Sequence, residues 1–381
     1  MRIGINFHSF DGFISGVEYY CLGLIRSLLE FDRDNDYVVF TNAGELLRRY
    51  VGLHENLKVI ELRHIKTRPA RIFWEHTRLA KAADREQLDV LHCPSYICPI
   101  RRSSARYVVT VHDTIAIDHP HWAKPSNALY FGLFMKKSLG NSCRIIAVSK
   151  ATAQLLAWNF ATAEQKIRII YPGIDAIFNT NRDRSRAQQV RRRYKLPERY
   201  ILYVGNIEPK KNLGVILSAQ KAIGKKGLPQ KLVIVGKRSW CSKLELDAIG
   251  KGVAAGKVIL AGYVDRMDLP VVYQMADVFV FPSLYEGFGF PPLEAMACGV
   301  PVVASDSGAL AETLADAAVL TKPSDTAGIA EAIVRLVRDT RFRDIYVRRG
   351  LSRCRKFSWQ ETVRQSLAVY EEAAGSGKRL T

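Results

Sequence analysis

The segment 285–299, YEGFGFPPLEAMACG, sets two carboxylates, Glu286 and Glu294, on either side of a Gly-Phe-Gly-Phe loop and a pair of prolines. The apolar run DVFVFPS before it reads as a strand ending at Pro282. Glu286 and the loop therefore leave a carboxyl end, where parallel α/β sheets meet their ligands. Gly287 and Gly289 permit positive φ and close backbone approach, so the N–H groups of Phe288, Gly289 and Phe290 can turn toward an anion or sugar hydroxyls. Pro291 and Pro292 suit the first turn of a helix, and Gly299 suits the residue just past its end. Glu294 is then expected in the first turn, where an ionised carboxylate accepts both hydrogen bonds of a ribose diol. Two plainer readings stand beside this one: Glu294 as a complement to the helix dipole and Glu286 as a solvated loop acid.

Other polar residues fall at strand ends too. Lys211 follows YILYVG and sits at the mouth of a helix beginning near Asn212, a good place to clamp a diphosphate and offset charge on a leaving group. Lys210 beside it reads more plainly as a surface cation. His112 and Asp113 follow RYVVTV, again at a carboxyl end, although a lone histidine is more often structural than catalytic. Gly16 precedes the helix containing Glu18 and suits either close approach to a ligand or an ordinary tight turn.

The elements that position these residues repeat one rhythm. RIGINF, YVVFT, LKVIEL, LDVLHC, RYVVTVHD and RIIAVS are short apolar runs separated by helix-length stretches, which predicts βαβ units and a parallel sheet. After IRIIYPGID the pattern stops, and a polar, basic segment with no periodic apolar face runs to Tyr194. The rhythm restarts with YILYVG, KLVIVG, KVILAGY, DVFVFPS, PVVAS and AAVLT. The reading is two Rossmann-like α/β domains, 1–174 and 175–359, facing each other across a cleft lined by strand-to-helix loops. No repeat and no low-complexity tract is evident.

Composition narrows the partners. A chain of 381 residues with 48% hydrophobic and 24% charged residues is an ordinary globular one. Its start lacks the features of a signal peptide, and no run reaches the roughly 20 apolar residues of a membrane span. Seven cysteines, an odd number without a CxxC pair or a His cluster at zinc-like spacing, read as buried free thiols in a reducing cytosol. The net charge of +19 admits nucleic acid, an anionic membrane surface or a phosphorylated substrate. No nucleic-acid module or aromatic-basic platform accompanies it, so nucleic acid is set aside. Residues 63–83, with Phe73 and Trp74, and 127–141, with Lys136 and Lys137, suit an interfacial surface or, equally, core-facing helices with solvated basic sides.

The run FPSLYEGFGFPPLEAMACGVPVVAS resembles the signature of the retaining nucleotide-sugar glycosyltransferases of family 4, which have the GT-B fold. SGVEYY, VHDTIAIDHP, YVGNIEPKKN, LVIVGKRSW, VILAGYV and the terminal FSWQETVRQSLAVY resemble that family's motifs in order, so the likeness spans the chain. It implies that Glu286 meets donor-sugar hydroxyls, Glu294 holds the ribose, Lys211 binds the diphosphate and His112 lies against the donor sugar. It also implies a C-terminal helix, 360–381, that crosses back to the first domain, which would hold the acceptor. Asn206 stands where many members carry a phosphate-binding Arg, leaving Lys210 or Lys237 to compensate. The family needs no DxD-bound metal, so no cofactor and no metal are expected. Its reaction is front-face attack by an acceptor hydroxyl, with the leaving phosphate taking the proton. The motifs look most like those of the bacterial polysaccharide and lipopolysaccharide mannosyltransferases, which implies GDP-mannose as donor and a glycan or lipid-linked glycan as acceptor. A UDP-sugar transferase, a nucleotide-sugar epimerase and a silent partner subunit are the alternatives, and the expected location is cytoplasmic, at most peripheral on the inner membrane face.

Overall fold

The apolar runs form parallel strands, and their burial follows their place in the sheet. Central strands such as β1 (Arg2–Phe7) are buried on both faces, as helices above and below require, while edge strands such as β3 (Leu57–Glu61) are half-buried. The computed structural model describes residues 1–9, 14–239 and 243–375, with only the backbone at 162 and 163. It divides into two units, Met1–Gly173 with Phe357–Thr381, and Ile174–Lys356.

Among the described residues, the first unit holds a seven-stranded sheet in the order β3-β2-β1-β4-β5-β6-β7. Its other members are β2 (Asp36–Thr41), β4 (Val90–Cys93), β5 (Arg106–Val111), β6 (Arg144–Ala147) and β7 (Ile167–Ile169). The second unit repeats the plan with six strands, β10-β9-β8-β11-β12-β13. These are β8 (Tyr200–Val204), β9 (Lys231–Val235), β10 (Val258–Gly262), β11 (Val278–Phe281), β12 (Val302–Ser305) and β13 (Val319–Thr321). Strand order reverses between β1 and β4 in the first sheet and between β8 and β11 in the second. The loops leaving such neighbours run to opposite faces and open a crevice at the carboxyl edge.

The C-terminal helix Trp359–Gly375 belongs to the first unit. The Tyr370 hydroxyl lies 2.7 Å from His92 Nδ1 of β4, and the Thr362 hydroxyl donates to the Tyr171 carbonyl at 2.8 Å. Trp359 packs where Gly23 and Gly173 leave room: a Cβ at either would come within 2.2 Å of it.

The structure sharpens three local readings. The basic segment after Asp175, which lacks a periodic apolar face, contains the helix Arg184–Arg193. It buries one apolar side chain, Val190, and is otherwise held by charge: Arg186 and Arg193 reach the buried Asp268 carboxylate at 2.5 and 3.0 Å. Within 63–83, Trp74 is a core residue, 5% exposed, whereas Phe73 one position earlier is 60% exposed. Cys143 is half-buried; Cys21, Cys93, Cys98, Cys298 and Cys354 are buried, and all six are free thiols. Cys241 lies outside the described residues.

Candidate active site

In the second unit the loops leaving β8 and β11 bring two of the predicted donor residues, Lys211 and Glu286, together. After β8 the chain passes Gly205, whose φ of +154° a side chain would strain, and Asn206, whose carbonyl accepts from the Tyr203 hydroxyl at 3.2 Å. Pro209–Lys211 make one 3-10 turn, and Asn212 follows in the left-handed region, capping the helix Leu213–Lys225. The Asn212 amide donates to the carbonyls of Pro282 and Pro323 at 3.1 and 2.7 Å. This ties the Lys211 turn to the loop leaving β11. The Lys210 carbonyl accepts the Leu284 N–H at 2.8 Å, a second tie.

Held this way, Lys211 and Glu286 meet. The Lys211 ammonium donates to Glu286 Oε1 at 2.5 Å and lies 4.9 Å from the centre of the Phe281 ring, with both side chains 12% exposed. Burial raises the Glu286 pKa, but the Lys211 and Lys210 ammonium groups outweigh it, and the carboxyl ends below the ordinary range. The Glu286 carbonyl accepts from the Ala309 N–H at 3.0 Å, and a Cβ on Gly308 would sit 2.8 Å from that carbonyl oxygen. Gly308 is therefore required for this approach.

The glycine loop is also held from behind. Gly287, Phe288 and Gly289 are buried, and Phe288 packs edge-on against Phe290 at 5.0 Å. The Thr313 hydroxyl donates to the Phe288 carbonyl at 3.0 Å. Gly289, at φ +99°, caps the helix Phe290–Ala297, and a Cβ there would strike Leu310 at 2.6 Å. Because the helix starts at Phe290, Glu294 falls in its second turn, not the first. The dipole-complement reading of Glu294 therefore fails. Its carboxylate is instead 5% exposed and accepts from the Tyr273 hydroxyl at 2.9 Å. Burial raises its pKa despite the Arg266 guanidinium, which pairs with Asp175 at 3.3 Å. Lys237 lies with its ammonium 5.8 Å from the centre of the Tyr263 ring.

In the first unit His112 leaves β5 and is 9% exposed. Its Nε2 lies 2.7 Å from the Pro94 carbonyl, which can only accept, so Nε2 carries the proton. Tyr20 and Tyr96 meet the ring edge-on at 4.8 and 5.2 Å. Burial pushes the imidazole pKa down, against the pull of the Pro94 carbonyl and Asp113. The ring is thus a neutral Nε2–H tautomer with an Nδ1 lone pair, suited to accept from a hydroxyl. Asp113 braces the loop by accepting from the Tyr96 hydroxyl at 3.1 Å and the Ile115 N–H at 3.2 Å. Gly16 is the first residue of the helix Gly16–Phe31, not a residue before it, and no atom of the described residues lies within 4 Å of the Cβ it lacks. Glu18 caps that helix, accepting from the Ser15 N–H at 3.2 Å.

Residues 14–177 match the description Glycosyltransferase Family 4, and residues 185–353 match Glycosyl transferases group 1. The chain is 31% identical over 308 residues to the O-antigen chain mannosyltransferase B of Escherichia coli, spanning 78% of each protein. It is a family 4 glycosyltransferase. This glycosyltransferase also superposes on sucrose-phosphate synthase of Thermosynechococcus elongatus (TM-score 0.75, 20% identity, 99% of this chain and 100% of that one). Anabaena HepE, crystallised with UDP-glucose, gives a TM-score of 0.73 at 18% identity over 97% of this chain and 98% of that one. At such identities the likeness establishes the fold, which is GT-B.

Four residues of the glycosyltransferase escaped the sequence reading: Tyr273, Arg266, Asn212 and Gly308. Tyr273 sits in the apolar stretch LPVVYQMADV, where a tyrosine looks like ordinary core. Only Asn212 carried a readable signal, as a residue tolerant of positive φ at a predicted helix start.

Proposed function

We propose that the enzyme transfers a hexosyl group with retention, mannose from GDP-mannose in the first instance, to a hydroxyl of a glycan or lipid-linked glycan in cell-surface polysaccharide assembly. The observation that carries the donor half is the Lys211–Glu286 pair at the β8–β11 crevice, with Glu294 buried on the helix that follows the glycine loop. A diphosphate arriving there takes Lys211 as its counter-charge, which frees Glu286 to accept from sugar hydroxyls, while Glu294, oriented by Tyr273, takes the ribose diol. Both glutamates are then committed to binding, and neither is left as a nucleophile of the kind retaining hydrolases place about 5 Å from their acid. Attack on the face the diphosphate leaves, with a phosphate oxygen taking the acceptor proton, completes the reaction without a metal. Backbone N–H groups of the glycine loop and the Lys211 ammonium stabilise the departing charge, and the neutral His112 accepts from a hydroxyl of the donor sugar.

The mannosyl reading is supported by the likeness to O-antigen mannosyltransferase B; the UDP-hexose reading is favoured by HepE, crystallised with UDP-glucose. Thermal shifts with GDP-mannose and UDP-glucose, followed by NMR of the anomeric product and the rate in EDTA, separate them. A shift with UDP-glucose alone overturns the mannosyl reading, an inverted product overturns retention, and loss of rate in EDTA overturns metal independence.

Peripheral attachment to anionic lipid is part of the same proposal. The helix Pro125–Asn141 exposes Leu129 and Leu133, each 65%, beside Lys136 and Lys137, and Arg68 joins it to the helix bearing Phe73 through Asn127 at 3.3 Å. Apolar side chains ringed by cations suit a headgroup layer. Among the described residues no helix is long and apolar enough to cross a membrane.

A further inference from the structure

A carboxylate that takes both hydroxyls of a ribose diol must be ionised, because the protonated acid turns one acceptor into a donor and gives up its charge. Glu294 is 5% exposed, and the Tyr273 hydroxyl that reaches it is a neutral donor. One neutral hydrogen bond does not offset the burial of a charge, so a carboxylate in this position needs a cation near it to stay ionised. That cation is Arg266, whose guanidinium lowers the Glu294 pKa against the burial that raises it.

Arg266 is itself placed by the first turn of the second unit. The unit begins at Ile174, and Asp175 opens a turn closed by the Phe178 N–H on the Asp175 carbonyl at 3.0 Å, with the Ile177 N–H donating to Asp175 Oδ1 at 3.3 Å. Asp175 Oδ2 accepts from Arg266 Nη2 at 3.3 Å, and the guanidinium carbon lies 5.2 Å from the centre of the Phe178 ring. Phe178 in turn meets the Tyr273 ring edge-on at 5.8 Å. Asp175 and Phe178 are each 4% exposed. One buried turn therefore fixes both the hydrogen-bond donor and the cation of Glu294. Among the described residues, Tyr273 and Cys298 also face Glu294, and burial pushes that hydroxyl and that thiol up, so both are neutral. On the neighbouring helix Thr340–Cys354, Cys354 donates to the Leu293 carbonyl at 3.0 Å with its thiol pushed up to about 12, and Arg353 turns to the carbonyls of Glu312 and Thr313. The charges left to act on Glu294 are Arg266 and, in the opposite sense, Asp175.

We propose that Arg266, held by Asp175 and Phe178, is a positioning residue for the nucleotide-sugar donor: its charge keeps Glu294 an acceptor for the ribose diol, and Asp175 limits that charge. The proposal rests on the reading of Glu294 as the ribose ligand. Its consequence is a donor affinity that depends on pH through Glu294. A nucleotide that needs the ionised carboxylate binds fully above the Glu294 pKa of the free enzyme and loses affinity as pH falls through it. Removing the Arg266 charge moves that loss to higher pH, and removing the Asp175 charge moves it to lower pH.

The test is isothermal titration calorimetry on the full chain with GDP and UDP and with their 2′,3′-dideoxy counterparts, for wild type, Arg266→Met, Asp175→Asn and the double variant. The ratio of variant to wild-type affinity cancels the titration of the phosphates themselves. Arg266→Met is expected to bind the ribonucleotide about tenfold more weakly than wild type at about pH 5.5 and to converge with it by about pH 9. Asp175→Asn is expected to bind about threefold more tightly at the acid end and to converge likewise. The double variant buries no lone charge, so it serves where Arg266→Met does not fold, and it is expected between Arg266→Met and wild type. With the dideoxy nucleotides all four proteins are expected to bind alike at each pH. Affinities equal to wild type, a loss that is the same at every pH, or weaker binding by Asp175→Asn at the acid end overturns the inference, because the pair is then structural. The same pattern with and without the diol overturns this inference alone, whereas a wild type bound by neither GDP nor UDP removes the donor reading and this inference with it.

Discussion

Lys211→Met removes the ammonium group that lies 4.9 Å from the centre of the Phe281 ring and keeps an unbranched apolar side chain, so it isolates the charge. Glu286 then keeps its burial and loses its hydrogen-bonded cation. Removing one member of a buried pair costs about 3–5 kcal/mol; the 12% exposure of both side chains and the nearby Lys210 put the loss near the lower end, about 3 kcal/mol. For a unit of this size that is about 6–12 °C in Tm. The pH dependence supplies the sharper check. In wild type the Glu286 pKa is depressed, so its contribution is full above the unfolded value and is lost as pH falls through the folded one. Without Lys211, burial outweighs the remaining Lys210 charge and the folded pKa is expected above the unfolded value, so the ionised carboxylate destabilises at neutral pH and is relieved as pH falls. The Tm gap between wild type and variant is therefore expected to narrow between about pH 7 and about pH 4.5. Adding Glu286→Gln to Lys211→Met is expected to recover more than half of the loss. Differential scanning calorimetry without nucleotide measures all three. A gap at pH 7 below about 2 °C, a gap that does not narrow on acidification, or a double variant no more stable than the single one refutes the reasoning.

Three further outcomes are expected. Tyr273→Phe removes the hydrogen bond that orients Glu294 and should raise the donor KM about tenfold with little change in kcat, as steady-state kinetics would show; an unchanged KM removes Tyr273 from the ribose site. His112→Ala should lower kcat about a hundredfold, and because burial keeps the wild-type ring neutral above its ordinary pKa, kcat should show no imidazole titration between about pH 7 and about pH 8.5; an inflection there that disappears in the variant contradicts the neutral tautomer. Leu129→Asp with Leu133→Asp should abolish co-sedimentation with vesicles containing phosphatidylglycerol while leaving transfer to a water-soluble acceptor unchanged, and equal sedimentation of wild type and variant rules out this face as the lipid contact.

The positions of Lys211, Glu286 and His112 at strand ends were legible because a parallel sheet writes itself as apolar runs, and the polar residue after each run must lie at its carboxyl edge. What the runs do not encode is the partner across the crevice. Lys211 and Glu286 are separated in sequence by half the strands of the second sheet, and only the order β8 beside β11 makes them neighbours. The helix position of Glu294 was misread for a local reason: the two prolines mark a first turn, but the left-handed Gly289, where Leu310 leaves no room for a Cβ, starts the helix one residue before them. Phe73 and Trp74 show the limit of apolar patterning, since two adjacent aromatics on one helix cannot both face the core and composition does not say which one turns out. The helix Arg184–Arg193 was invisible to periodicity because its anchor is a buried aspartate in another element.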